Sequence, residues 1–217
     1  MKATRVISWV VILLAFVAGA LVYPRLPEMV ASHWNEFGEV DGYMPRLWGV
    51  FLVPLIMVAM GLLFLVIPAI DPLKHNIAMF RPQYDRFVVL MLLFMLAVHI
   101  FTLLWNMGLK ISINRFMPVA MGLVFFFVGD LIRNAKRNFF VGIRTPWTLS
   151  NDVVWEKTHR LGAVLFQASG VVAALGALFE RLSMWFILAP VMSAGLIPTV
   201  YSYFEFRRIE RAAPGSG

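Results

Sequence analysis

Six long apolar runs leave this chain one environment in which to fold. They extend from Val6 to Val22, Leu47 to Ile70, Phe87 to Leu109, Phe116 to Ile132, Leu161 to Phe179 and Leu182 to Phe204, and together hold 123 of the 217 residues. Each run has 17 to 24 residues, enough to carry a helix across about 30 Å of hydrocarbon at about 1.5 Å per residue. Lipid offers backbone N–H and C=O groups no partners, so every span must satisfy its own as helix. The expected fold class is an all-α membrane protein with six transmembrane helices. Composition agrees: 60% of residues are hydrophobic, 14% are charged and the mean hydropathy is +0.78, against about 25% charged in an average soluble chain. The fourth run is the least regular, with Pro118 in its first turn and Asp130 and Arg133 at its end. The chain has no cysteine, which excludes disulfides, thiolate metal sites and cysteine catalysis.

The net charge of +7 lies in the connections between the runs, a distribution that suits a membrane surface and not direct nucleic-acid binding. Counting Lys and Arg in alternate connections places fourteen on one side and five on the other. The positive-inside rule then predicts both termini in the cytoplasm. Lys2 and Arg5 ahead of an apolar run ending in Ala18, Gly19 and Ala20 also resemble a cleavable signal segment, an alternative that charge counting leaves open. The sequence divides into an N-terminal two-span unit, residues 1–70, with an exterior loop at 23–46, and a four-span unit, residues 71–217, with an interior loop at 133–160. The two loops carry net charges of −2 and +4. Each follows the first span of a three-span half, the arrangement of an inverted repeat, although the loops share no alignable sequence. Pro214 to Gly217 form a short low-complexity tail.

In the exterior loop, Pro24 and Pro27 end the first span, and Gly38 and Gly42 permit positive-φ turns. The loop is therefore expected to be structured. His33, Glu36, Glu39 and Asp41 are candidate cation ligands, but their spacing matches no metal motif, and an interfacial loop anchored by Tyr23, Trp34, Tyr43 and Trp48 is the alternative. In the interior loop, Arg133, Lys136 and Arg137 suit anionic lipid headgroups. Gly142 permits an unusual turn, and Pro146 holds Thr145 extended, so Arg144 is expected to project from an ordered turn. Ser150 or Asn151 can cap a helix in which Glu156 pairs with Arg160. Trp155 and His159 share one face of that helix, either as a binding surface or against the headgroup layer.

Within the spans, His99 is the residue to explain, since ionisable groups at that depth face a bundle interior or a watery cavity. Gln167, Ser169 and Thr102 are candidate partners. Asp130 is expected to be neutralised by Arg133 or Arg137. Pro54, Pro190 and Pro198 mark kinks or hinges. Small residues along the fifth span allow close contact within the bundle or between protomers, and the oligomeric state is not legible. No phosphate loop, nucleophile elbow or zinc-protease motif occurs, so nothing points to an enzyme, a cofactor or a metal.

Two strings resemble a known family. Arg137-Asn138, Phe140 to Leu149 with its Gly142-Ile143-Arg144-Thr145-Pro146-Trp147 core, Val154-Trp155 and Thr158-His159-Arg160 are similar to the signature of the SdpI family of bacterial membrane proteins. Pro27, His33-Trp34-Asn35, Gly38 and Asp41-Gly42 resemble a small uncharacterised domain often fused ahead of it, with Arg46 where many relatives carry lysine. The resemblance implies a multi-pass protein of the bacterial cytoplasmic membrane that confers immunity to a secreted, membrane-active peptide toxin. It further implies a sensor that, on meeting toxin, recruits a cytoplasmic repressor through the interior loop. A small transporter or exporter is the main alternative, and a membrane enzyme the lesser one.

Overall fold

The structure, a computed structural model, describes residues 2–212, so the tail from Pro214 lies outside the described residues. In chain order the elements are α1 (Lys2–Val22), β1 (Met29–Trp34), β2 (Val40–Pro45), α2 (Arg46–Ile70), α3 (Lys74–Met79), α4 (Arg81–Asn106), α5 (Ile113–Asn134), α6 (Pro146–Ser150), α7 (Asp152–Leu175) and α8 (Ser183–Ala212). Six helices are long and apolar enough to cross a membrane. Only 17 to 39% of each hydrophobic stretch is buried within the protein, so the remaining apolar surface requires an apolar solvent. Exposed Val6, Val10, Leu13, Val17 and Leu21 line the outer face of α1.

The expectation of an all-helical protein is corrected by one element. The first connection folds as an antiparallel hairpin, β1 with β2. A hairpin edge beside a membrane leaves backbone groups unpaired, and α4 supplies what the edge lacks. The Asn106 side chain accepts from the Ala31 N–H at 2.8 Å and donates to the Ala31 carbonyl at 3.0 Å, as a neighbouring strand would.

Helix boundaries exceed the apolar runs where polar residues continue the helix into the interface. The third span begins at Arg81 instead of Phe87, and the last continues to Ala212. The fourth run, despite Pro118 and Asp130, forms the regular helix α5. Pro68 in α2 cannot donate to the carbonyl of Phe64, and the Tyr84 hydroxyl of α4 donates to that carbonyl at 2.8 Å. The Ser169 hydroxyl of α7 donates to the Pro190 carbonyl in α8 at 2.9 Å, tying these two helices together.

The long helices pack as two groups. In the first, Val11, Ile12 and Ala15 of α1 meet Met57 of α2 and Tyr84, Val88 and Leu92 of α4, with Ile77 and Phe80 closing the end. In the second, Val124 and Phe125 of α5 and Ala173 of α7 pack with Phe166, Ile187 and Val191. The small residues of the fifth span serve contact within the bundle. A Cβ on Gly129 would lie 2.7 Å from the Ala163 carbonyl, and one on Gly170 would lie 2.5 Å from that of Gly122. The backbones of α5 and α7 therefore approach through missing side chains.

This packing sets a contrast between two glycines. Gly129→Val should destabilise the bundle by about 1–3 kcal/mol through overpacking, lowering the thermal midpoint of the detergent-solubilised protein. Gly195→Ala, where a Cβ meets nothing within 4 Å, should leave the midpoint unchanged or slightly raised.

Candidate functional site

Polar side chains gather at the two ends of the bundle. At one end lies the hairpin. Asn35 closes its tip: the side-chain carbonyl accepts from the N–H groups of Phe37 and Glu39, both at 3.0 Å, and its amide donates to Glu39 at 3.2 Å. Gly38 completes the turn at φ +82°, a conformation that favours glycine. The register shifts on both sides of His33, whose imidazole contacts the Asp41 carboxylate across the strands. Gly42 faces His33 because a Cβ there would lie 2.8 Å from the His33 Cβ.

Of the expected interfacial anchors, Trp34 is used differently. It packs edge-on against Phe101 and Trp105 of α4, with ring centroids 5.4 and 5.5 Å away. Tyr43 and Trp48 stay exposed. Arg46 donates to the Leu26 carbonyl at 3.0 Å and stacks over Tyr23 at 4.6 Å, fastening the end of α1 to the start of α2. The Asn114 amide of α5 donates to the Glu36 carbonyl at 3.1 Å. Between the hairpin and the starts of α5 and α8 lies a groove of about 420 Å³ lined by the polar His33, Asn35 and Asp41 and by Met117, Met121 and Met184 among others. Among the described residues, no group of three or more His, Cys, Asp or Glu is placed to hold a metal ion.

At the opposite end, residues 135–151 form an ordered loop around fully buried Asn138. Its amide donates to the carbonyls of Lys136 and Val141 at 2.8 and 2.9 Å, and its side-chain carbonyl accepts from the N–H groups of Phe140 and Val141 at 2.9 and 2.6 Å. Gly142 turns at φ +112°, and a Cβ there would strike the His159 ring at 2.3 Å. His159 uses both nitrogens: Nε2 accepts from the Ile143 N–H at 2.9 Å and Nδ1 donates to the Trp155 carbonyl at 2.8 Å. Trp155 stacks on it at 4.0 Å and donates to the Ala135 carbonyl at 2.8 Å. Both rings are buried, at 3% exposure for Trp155 and 1% for His159. The expectation that they form a binding surface or a headgroup contact is corrected: they are the core on which the loop is built.

The rest of the motif is largely internal support. Thr145 is extended, and it forms a capping box with Thr148 that starts α6 at Pro146. Its hydroxyl lies 3.0 Å from that of Ser202 in α8, and Trp147 meets Tyr203 edge-on at 5.1 Å. Asn151 caps α7, accepting from Val153 and Val154. Arg144 is exposed and donates to the Phe139 carbonyl. Arg160 is exposed and paired with Glu156 at 3.3 Å, the expected i,i+4 pair.

Two expected polar partnerships do not form. Gln167 accepts from Arg133 at 3.0 Å and does not meet His99. His99 is fully buried near Gly19 and Val50; the Ala15 carbonyl is its nearby backbone group, without a well-formed hydrogen bond to either ring nitrogen. Asp130 pairs with Arg86 of α4 at 3.3 Å, while Arg137 reaches Asp152 at 2.9 Å and the Leu149 carbonyl at 2.8 Å. Of the three basic residues expected at lipid headgroups, Arg133 and Arg137 are thus engaged within the protein.

Sequence reasoning missed several supports. Asp71, 2% exposed, accepts from Leu73 at 2.6 Å and from the Phe139 N–H at 2.9 Å, and Asn76 donates to the Arg137 carbonyl at 2.7 Å. Both sit in the short link between the second and third spans, where Asp71 is the one acidic residue before α4. Buried Glu205 gathers Lys157 and Arg208, each at 2.8 Å. The arrangement orders two surfaces, one at each end of the bundle.

This is a multi-pass helical protein with an ordered polar structure at each end, and comparison with known proteins places it more closely. Residues 134–202 match the SdpI/YfhL protein family, and residues 10–58 match a domain of unknown function (DUF1648). By these matches the chain carries an SdpI/YfhL-like region with a DUF1648 segment ahead of it, and it is a distant homologue of the immunity protein SdpI of Bacillus subtilis. It is 22% identical to that protein over 206 residues, covering 94% of this chain and 97% of the relative. No solved structure matches. The two matched segments contain the hairpin and the Asn138 loop.

If Asn138, Gly142 and His159 hold the loop, their loss should open it. Gly142→Ala and Asn138→Ala should each cost about 1–3 kcal/mol through strain or unsatisfied buried groups. Trypsin cleavage after Lys136 or Arg144 in the solubilised protein should be markedly faster in both variants, while Arg160→Gln should digest like the parent.

Proposed function

We propose that this protein lies in the bacterial cytoplasmic membrane with both termini in the cytoplasm and the hairpin outside, and that it protects the cell against a membrane-active peptide toxin. The observation that carries this reading is the relative named an immunity protein, which it matches almost end to end. The orientation is supported by fourteen of nineteen Lys and Arg residues in the termini and connections on the Asn138-loop side. In this reading the groove beside the hairpin receives the peptide. Its lining methionines adapt to an apolar helix face, and His33, Asn35 and Asp41 contact polar groups. The Asn138 loop, with Arg144 and Pro146 at its surface and Arg160 on the adjoining α7, would present toxin occupancy to a cytoplasmic repressor. Such signalling requires toxin to favour one of two arrangements of the bundle, since a ligand with equal affinity for both shifts nothing.

Survival of a sensitive bacterium expressing the protein, challenged with a panel of membrane-active peptides, tests this. Protection against at least one peptide is expected. The double variant His33→Ala/Asp41→Ala should lower it by about tenfold at equal membrane abundance, the loss of about 1.4 kcal/mol of binding. Arg144→Ala, on the opposite face, should leave protection intact. Absence of protection against every peptide, together with solute flux in proteoliposomes, would instead indicate a transporter.

A further inference from the structure

A cleft outside both end structures has the form of a lipid site. It lies beside the first turns of α1 and α4 and the last part of α5, has a volume of about 730 Å³, and is lined by Thr4, Ile7, Arg86, Leu90, Leu93 and Phe127 among others. That volume falls in the usual range for ligand pockets, about 300–1,000 Å³. Ile7 and Leu93 at its walls are 47% and 45% exposed, so the cleft faces the hydrocarbon laterally. An occupant must therefore be a lipid or another membrane helix.

Polarity along the cleft selects between these. On α4, the lining residues Arg81, Asp85 and Arg86 come first, followed by Val89, Leu90 and Leu93. The twelve steps from Arg81 to Leu93 span about 18 Å, close to the roughly 15 Å hydrocarbon depth of one leaflet plus its headgroup border. The charged part thus lies where a phosphate would sit, and the apolar part where acyl chains would. A partner helix requires no such gradient in a single cleft.

The charge at the mouth is cationic and directed outward. Arg81 is held by Asp85 at 2.6 Å, with Thr4 donating to the same carboxylate at 3.2 Å. Arg86 contacts Asp130 through Nη2 at 3.3 Å, and its side chain is 58% exposed against 30% for the carboxylate. A guanidinium has five donors, so this contact leaves capacity for phosphate oxygens. Arg5 lines the adjoining hollow with Thr4, Arg81 and Asp85, making three arginines against Asp85 and Asp130 in this neighbourhood.

We propose that this cleft binds an anionic diacyl phospholipid, with Arg86 contacting the phosphate and Leu90, Leu93 and Phe127 contacting an acyl chain. The site is independent of the proposed toxin groove at the opposite end. Native mass spectrometry of the delipidated full chain titrated with phosphatidylglycerol or phosphatidylcholine tests it. Phosphatidylglycerol should bind about fivefold more tightly, the effect of about one arginine at a membrane surface. Arg86→Gln should abolish that preference. Arg86→Lys should keep it, as should Arg207→Gln, which removes a basic residue elsewhere at the same end. Millimolar glycerol phosphate should not displace the lipid, because it lacks the chains. Equal affinity for the two lipids, a preference surviving Arg86→Gln, loss in Arg86→Lys as well, displacement by glycerol phosphate, or a lipid-free dimer would each overturn the proposal.

Discussion

The structure depends on one constraint: near a bilayer, a backbone group that leaves a helix must find its partner inside the protein. The two longest connections between the long helices meet this constraint with asparagine. At one end Asn106 completes the edge of β1 through Ala31, and Asn35 closes the hairpin tip. At the other, Asn138 engages four backbone groups with one side chain. A primary amide suits this role because it donates and accepts on adjacent atoms without carrying charge. An aspartate could accept but not donate, and its burial would require a compensating cation.

The same constraint joins the two helix groups. The Asn138 loop leaves α5 and starts α7, yet its partners include Asp71 just before α3, Asn76 within it and Ser202 in α8. One segment therefore clamps elements from both groups. At the hairpin end, α4 contributes Asn106, Phe101 and Trp105, and α5 contributes Asn114. Near the loop end the same helices meet through Arg86 and Asp130. A shift of α4 against α5 would thus be felt at both ends. His99 lies on α4 against α1 and α2 with neither ring nitrogen in a well-formed hydrogen bond, and a buried polar group without good partners is a natural place for an alternative packing.

The sequence made the six spans legible because lipid permits little besides a helix, and 17 or more apolar residues in a row signal that directly. Local chemistry was equally plain: Gly142, Thr145-Pro146, Asn151 and the Glu156–Arg160 pair behave as their neighbours in sequence dictate. What the sequence did not disclose is which distant groups meet. Gln167 with Arg133, Asp130 with Arg86 and Asp71 with Phe139 depend on helix rotation and neighbour choice, and a nearly uniform apolar helix specifies its rotation weakly. The hairpin escaped for a related reason. Its strands are six residues each, one with a mixed burial pattern, and their register is fixed by α4 and by bulges around His33 instead of by a clean alternation.

These contacts also separate what a family signature marks from what a partner can touch. Asn138, Thr145, Thr158 and His159 are buried, so a ligand could reach them only by opening the loop and leaving several backbone groups unsatisfied. Such an opening costs about 1–3 kcal/mol for each unpaired group, more than a surface contact usually returns. The signature is therefore a recipe for a rigid loop, and only the side chains that the loop holds outward are open to a partner. Rigidity has its own consequence for binding. Side chains displayed on a preformed scaffold lose little further conformational entropy when a partner docks, so even a few exposed groups, such as Arg144 on the loop and Arg160 on α7, would suffice for specific contacts. The hairpin follows the same logic: Asn35, Gly38 and Gly42 fix the turn, and His33 and Asp41 are what that turn exposes.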